Sequence, residues 1–97
     1  MITVQFLRPA EIEMAEAAVY YETQAEGLGN VFLETVERVM NEVVHNPKAW
    51  PVIHRNIRKR VVSRFPYSVL YRVDPDEIVV VAVMRQHRHP DYWLGRI

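Results

Sequence analysis

The chain contains no cysteine among its 97 residues. That absence excludes disulfide bonds, cysteine-ligated zinc sites and thiol nucleophiles. The longest unbroken apolar run covers only residues 78–84, far short of the ~20 residues that a membrane-spanning helix needs. The first residues carry neither a basic stretch nor an apolar leader. We therefore expect a cytoplasmic protein without a membrane segment.

Length and composition predict one globular domain over residues 1–97. The chain is slightly shorter than the ~100–150 residues common for single domains. Hydrophobic residues make up 49% and charged residues 25% of the sequence, which is ordinary for a folded domain. A second independent core is excluded by this length.

The charges are unevenly divided, although the formal net charge is zero. Two arginines and eight glutamates up to Pro47 give −6, whereas ten basic and four acidic residues from Lys48 onward give +6. Such a split predicts an acidic scaffold half and a basic half that binds a partner. Attraction between the two halves of the chain would explain it equally well.

Hydrophobic periodicity predicts the element order β-α-α-β-β-β. The predicted helices cover residues 9–24 and 28–46, the strands cover 2–6, 57–65, 67–73 and 78–84, and residues 48–56 form a loop. Two helices joined by a short glycine-containing turn are typical of an antiparallel hairpin. We expect an α+β fold in which this hairpin packs on a largely antiparallel four-stranded sheet; the strand order stays open. The expected core consists of Met14, Ala18, Tyr21, Phe32, Val36, Met40, Val69, Tyr71, Val79, Val81 and Val83.

Arginines are predicted to line the sheet face that the helices leave open. Arg58, Arg60 and Arg64 share one face of a predicted strand, Arg72 lies on the polar face of the next, and Arg85 ends the third. Like charges side by side across a sheet repel unless an anion lies between them. The pattern favours a phosphate backbone or an acidic peptide as partner. The alternative is a solvated face whose arginine stems cover apolar residues.

Two histidines and a tyrosine in the C-terminal residues suggest metal binding or proton transfer. His87, His89 and Asp91 stand at every second position, which would place them on one side of a strand as metal ligands, but Pro90 disfavours a strand there. We therefore predict neither a metal nor a cofactor. Metal-free phosphodiester cleavage needs proton-transfer groups and cations. His87, His89 and Tyr92 are candidates for the first role and Arg64 and Arg85 for the second, although spacing does not show that they converge.

Two tryptophans and two neighbouring tyrosines are expected to serve packing. Trp50 and Trp93 are predicted to close the ends of a small core rather than stack on bases. Tyr20 and Tyr21 are adjacent in the first helix, and both are predicted to belong to the core.

Several short motifs together resemble the RelE/ParE toxins of type II toxin–antitoxin systems. They are Tyr20-Tyr21-Glu22, Gly27-Leu28-Gly29 with Phe32, Asn46-Pro47, Arg64-Phe65-Pro66-Tyr67, Leu70-Tyr71-Arg72, and the ending with Arg88, Pro90 and Tyr92-Trp93. The resemblance covers nearly the whole chain in order. It implies the same βααβββ fold and a cognate antitoxin that neutralises the toxin in a hetero-oligomer.

The resemblance also implies one of two targets. RelE-like members cleave ribosome-bound mRNA with basic residues and a Tyr or His near the C-terminus, and ParE-like members poison DNA gyrase. Here Arg85 stands where many relatives carry histidine, and His87 stands where they often carry arginine. The candidate catalytic residues are Arg64, Arg85, His87 and Tyr92, and the candidate target-binding residues are Arg58, Arg60, Arg72 and Arg88. A non-toxic interaction module or a degenerate toxin that only binds its antitoxin is the alternative.

Overall fold

A computed structural model describes residues 2–97 and shows two α-helices and five strands within them. The helices are α1 (Arg8–Gln24) and α2 (Leu28–His45); the strands are β1 (Thr3–Phe6), β2 (Val52–His54), β3 (Ile57–Val61), β4 (Tyr67–Val73) and β5 (Glu77–Arg85), followed by a 3-10 turn at Leu94–Arg96. Both helices lie within one residue of their predicted bounds. No helix in this described part is long and apolar enough to cross a membrane.

The strands form one sheet in the order β1-β5-β4-β3-β2. β1 runs parallel to β5, and all other neighbours are antiparallel. The predicted α+β architecture is therefore confirmed. The predicted number of four strands is wrong, because Val52 and His54 pair with β3 inside the predicted loop. The three residues between Pro51 and the turn at Arg55 are too few to show an alternating pattern.

The main core lies between the helices and one side of the sheet, the helix-covered face. At its centre the ring of Phe32 lies 5.4, 5.1 and 5.3 Å from the rings of Tyr21, Phe65 and Tyr67. Of the predicted core residues, Phe32, Val36, Met40, Val69, Tyr71 and Val83 are buried here, and Met14, Ala18 and Tyr21 are half-buried against them. Val79 and Val81 are also buried, but they do not belong to this main core.

The opposite side of the sheet, the second face, is partly covered by the C-terminal segment, residues 86–97. Trp93 is only 2% exposed. It packs in a second cluster with Ile57, Leu70, Val81, Ala82 and Met84. The prediction that this face is open is wrong, because the chain folds back over it after β5. Trp93 covers this face instead of closing an end of the main core, whereas Trp50 packs half-buried against the main core.

The two helices approach each other closely at Gly29. A Cβ atom at this position would lie 2.5 Å from the main-chain oxygen of Ala18. The Gly29 N–H also donates a 3.0 Å hydrogen bond to Glu22 Oε1, and the Gly27 N–H donates one of 2.9 Å to Oε2. One carboxylate thereby satisfies two amides at the start of α2, where the helix dipole favours negative charge.

Replacing Gly29 by alanine is expected to lower the free energy of unfolding. Forcing a methyl group into a filled contact costs about 1–3 kcal/mol, more than the ~1 kcal/mol that alanine gains from helix propensity. Urea unfolding measures the change. Gly95→Ala is the matched control, because nothing lies within 4 Å of its Cβ position. Equal unfolding midpoints for the two variants would contradict the close helix contact.

Candidate functional site

Arg58 and Arg60 lie on the helix-covered face. In the register of β3 with β4, Arg58 pairs with Tyr71 and Arg60 pairs with Val69. Directly opposite residues share one face of a sheet, and these two partners belong to the main core. The prediction of one open arginine face is therefore wrong. Its physical cause is Ile57, which is buried in the second cluster and leaves the arginines on the side of the helices.

Both arginines hold the segment between α2 and β2. The Arg58 guanidinium donates hydrogen bonds of 3.2 and 2.7 Å to the carbonyl oxygens of Lys48 and Trp50. The Arg60 guanidinium lies 5.0 Å from the centre of the Trp50 ring and forms a 2.6 Å ion pair with Glu42. Donor groups of both residues are thus used inside the protein.

Arg72 and Arg64 are separate from these two residues. Arg72 pairs opposite Ile57 on the second face and makes a two-pronged contact of 2.8 and 3.0 Å with Asp74. This hydrogen bonding raises the pKa of Arg72 and lowers the pKa of Asp74. Arg64 is exposed and has a φ of 74°. It lies in the turn after β3, which ends at Val61 instead of continuing to residue 65 as predicted.

A pocket of about 500 Å³ lies between α1, the end of β5 and the C-terminal segment. It brings together the predicted catalytic residues Arg85, His87 and Tyr92 with the predicted binding residue Arg88, but Arg64 does not line it. We refer to it as the tyrosine–arginine pocket. Its lining residues are Glu13, Glu16, Ala17, Tyr20, Tyr67, Val83, Arg85, His87, Arg88 and Tyr92.

Glu13, on α1, holds the C-terminal segment in place. Its carboxylate accepts a 2.5 Å hydrogen bond from the Tyr92 hydroxyl and two hydrogen bonds of 2.8 and 3.0 Å from the Arg96 guanidinium. The side chains of Glu13 and Arg96 are 14% and 18% exposed. This is a largely buried, fork-shaped ion pair, a geometry that gives strong and specific contacts.

The same two side chains satisfy the free edge of β5. β1 pairs with β5 only up to Phe6, so within residues 2–97 the remaining part of β5 has no strand on that side. Glu13 Oε1 accepts a 3.1 Å hydrogen bond from the Val83 N–H, and Arg96 donates one of 3.1 Å to the Val81 carbonyl oxygen. Main-chain groups without a ladder partner need such substitutes when they are buried.

Two arginines contact the ring of Tyr92. The guanidinium groups of Arg88 and Arg96 lie 4.2 and 4.9 Å from the ring centre. Burial, followed by the hydrogen bond to Glu13, raises the pKa of Tyr92 far above its ordinary value. A general base works best with a pKa near the operating pH. This geometry therefore suits an anchor for the C-terminal segment better than a proton-transfer group.

The two C-terminal histidines lie in the turns that lead to Trp93. The Asp91 N–H donates a 3.2 Å hydrogen bond to His89 Nδ1, which joins these residues in a local turn. Across residues 2–97, no group of three His, Cys, Asp or Glu side chains is placed to hold a metal ion.

The sequence itself identifies the family. Residues 4–90 match the family described as ParE toxin of type II toxin-antitoxin system, parDE. The chain belongs to the ParE toxin family. The predicted recognition is thus confirmed, and the ParE-family toxin is one component of a type II toxin–antitoxin module whose partner is an antitoxin.

Solved structures agree with this fold. A chain of the chromosomal ParDE TA system from P. aeruginosa is similar to the toxin with a TM-score of 0.62 and 19% sequence identity, over 88% of this chain and 96% of that chain. At this identity the likeness concerns the fold alone. A comparison with curated protein sequences finds no match.

The toxin has three pocket residues that sequence reasoning missed. Glu13 and Glu16 were not among the predicted site residues, and Tyr20 was predicted to be core but is 45% exposed. Their spacing in the sequence could have indicated that they share one face of α1. Glu13, Glu16, Ala17 and Tyr20 stand at i, i+3, i+4 and i+7, which places them on one helix face beside the apolar stripe.

Proposed function

We propose that this ParE-family toxin stops bacterial growth by binding DNA gyrase in the cytoplasm and that a cognate antitoxin neutralises it in a hetero-oligomer. The observation that supports gyrase over mRNA cleavage is the contact of the Tyr92 hydroxyl with Glu13. The hydroxyl group that would transfer a proton donates instead a hydrogen bond that holds the C-terminal segment.

The charges of the tyrosine–arginine pocket also favour binding over phosphodiester cleavage. Glu13 is paired with Arg96, but Glu16 lines the α1 side as an exposed carboxylate, and a carboxylate repels a phosphodiester. Cleavage of RNA would need an acid, a base and cations around the reacting phosphate. Of the predicted proton-transfer residues, only His87 and Tyr92 line the pocket among the described residues, and Tyr92 is engaged.

The other three predicted target-binding arginines make contacts within the protein. Arg58 and Arg60 contact the α2–β2 segment, and Arg72 is paired with Asp74. Binding of a nucleic-acid strand draws its affinity from several phosphate contacts in a row. A protein target, in contrast, needs only a local patch of complementary shape and charge.

The proposal predicts that Tyr92→Phe remains toxic. Growth should stop when the parent or Tyr92→Phe is expressed alone, with DNA-damage signalling and intact mRNA, and co-expressed antitoxin should restore it. Purified, both proteins should inhibit supercoiling by gyrase to similar extents. A catalytic tyrosine would instead show a loss of about 100-fold or more, and thermal unfolding checks that the variant is folded.

Two results would contradict gyrase as the target. Ribosome-dependent mRNA cleavage by the parent that disappears in folded Tyr92→Phe would establish a ribonuclease. Unimpeded growth at high expression of the folded parent would indicate a degenerate toxin or a plain interaction module.

A further inference from the structure

The tyrosine–arginine pocket contains two arginines with unused donors. Arg85 lies 5.7 Å from the centre of the Tyr20 ring, and Arg88 lies 4.2 Å from the centre of the Tyr92 ring. No carboxylate within residues 2–97 forms an ion pair with either guanidinium, in contrast to Arg96. Stacking on a ring restrains a guanidinium and leaves the N–H groups at its rim free for a planar, two-oxygen partner.

The local charge of the pocket fits a single anionic group. The charge of Glu13 is compensated by Arg96 in a 2.8 Å ion pair. That leaves two uncompensated arginines and one exposed carboxylate, Glu16. The balance is about one positive charge, which complements one carboxylate and does not suit the row of charges in a nucleic-acid backbone.

The surroundings of the two arginines are those of a protein-binding patch. Tyr20 is 45% exposed next to Arg85, and Tyr67 and Ala17 add apolar lining. Aromatic residues and arginine are the residue types most enriched in the energetic centres of protein interfaces.

We infer that the tyrosine–arginine pocket binds an aspartate or glutamate side chain of the target, held by the guanidinium groups of Arg85 and Arg88. This inference rests on the proposed function, with DNA gyrase as the protein that supplies the acidic side chain. The tyrosine rings pack against the apolar part of the same segment. Glu16, at the rim, repels the acidic partner and limits its affinity.

Binding of purified, DNA-free gyrase to the toxin tests this inference. Arg85→Gln and Arg88→Gln should each weaken binding about tenfold or more, as expected for a lost charge-assisted contact. Arg85→Lys should weaken binding as well, because lysine lacks the planar fork. Arg38→Gln is the matched control, since it removes one exposed charge from α2, and it should bind like the parent.

Glu16→Gln is expected to change the affinity for gyrase in the opposite direction to the arginine variants. Removal of the repelling carboxylate should tighten gyrase binding about threefold at low salt. A basic group of gyrase in the pocket would give weaker binding for Glu16→Gln and tighter binding for the arginine variants, and this pattern would overturn the inference.

The remaining outcomes separate this inference from the proposed function. A parent that neither binds nor inhibits gyrase overturns both. If the folded Arg85→Gln and Arg88→Gln variants bind gyrase as tightly as the parent does, the inference about the pocket is overturned, whereas the proposed function is not. If the toxin binds gyrase only in the presence of DNA, the arginines are assigned to phosphate groups. If the arginine variants lose antitoxin binding but keep gyrase binding, the pocket is assigned to the antitoxin. Either result overturns the inference.

Discussion

Phe32→Ala is expected to lower the free energy of unfolding by about 3–5 kcal/mol. Phe32 is fully buried and lies within 5.4 Å, between ring centres, of Tyr21, Phe65 and Tyr67. Alanine would remove the shared partner of three rings from α1, the β3–β4 turn and β4. A domain of this size has a total stability of about 5–15 kcal/mol, so the variant is expected to be partly unfolded at growth temperature.

Denaturant unfolding with circular dichroism measures this loss. Leu33→Ala is the matched control, because Leu33 is the next residue of the same helix and is 37% exposed. It should cost about 1 kcal/mol or less. If Phe32→Ala and Leu33→Ala unfold at the same denaturant concentration, the helix-covered face has been placed wrongly.

The regular elements were predictable because each carries its own repeating pattern. In α2, Phe32, Val36, Val39, Met40 and Val43 recur at helical spacing and are buried. In β4, the predicted core residues Val69 and Tyr71 lie in the main core, and Leu70 between them lies in the second cluster. Such signals depend only on neighbours in sequence. The short strand β2 was not predicted, because three residues are too few to show an alternating pattern.

The position of the arginines was not predictable from the period of β3. Alternation divides a strand into two faces but does not say which face the helices cover. The predicted grouping of Arg58 with Arg60 on one face of β3 agrees with the register. The assignment of faces depended on Trp93, which buries Ile57 from the second face.

The candidate site depends on contacts between distant parts of the chain. Glu13 and Arg96 are 83 residues apart, and nothing in the sequence around Pro90 has a period that would place the C-terminal segment. The approach of Tyr92 to α1 follows from the early end of β1 at Phe6, which leaves the edge of β5 free. The sequence named His87, Arg88 and Tyr92 as candidates, whereas the fold determines that His87 and Arg88 line the same pocket as Tyr20.

Glu13→Ala is expected to cost about 3 kcal/mol and to release the C-terminal segment. The substitution leaves Arg96 as a largely buried charge without its partner, which is the expensive way to break an ion pair. It also removes the acceptors of the Tyr92 hydroxyl and the Val83 N–H. For a domain of this size the melting temperature should fall by more than about 10 °C. Cleavage of residues 86–97 by a protease should become faster.

A double-mutant cycle with Arg96 distinguishes this ion pair from a general effect on α1. Glu13→Ala and Arg96→Ala should each be destabilising, but the double variant should lose clearly less than the sum, since no charge is then left unpaired. Glu16→Ala, one turn later on the same helix and exposed, should change the stability by no more than about 0.5 kcal/mol. Strict additivity of Glu13→Ala and Arg96→Ala would show that the two side chains do not stabilise each other, and the anchoring of the C-terminal segment would then rest on Trp93 alone.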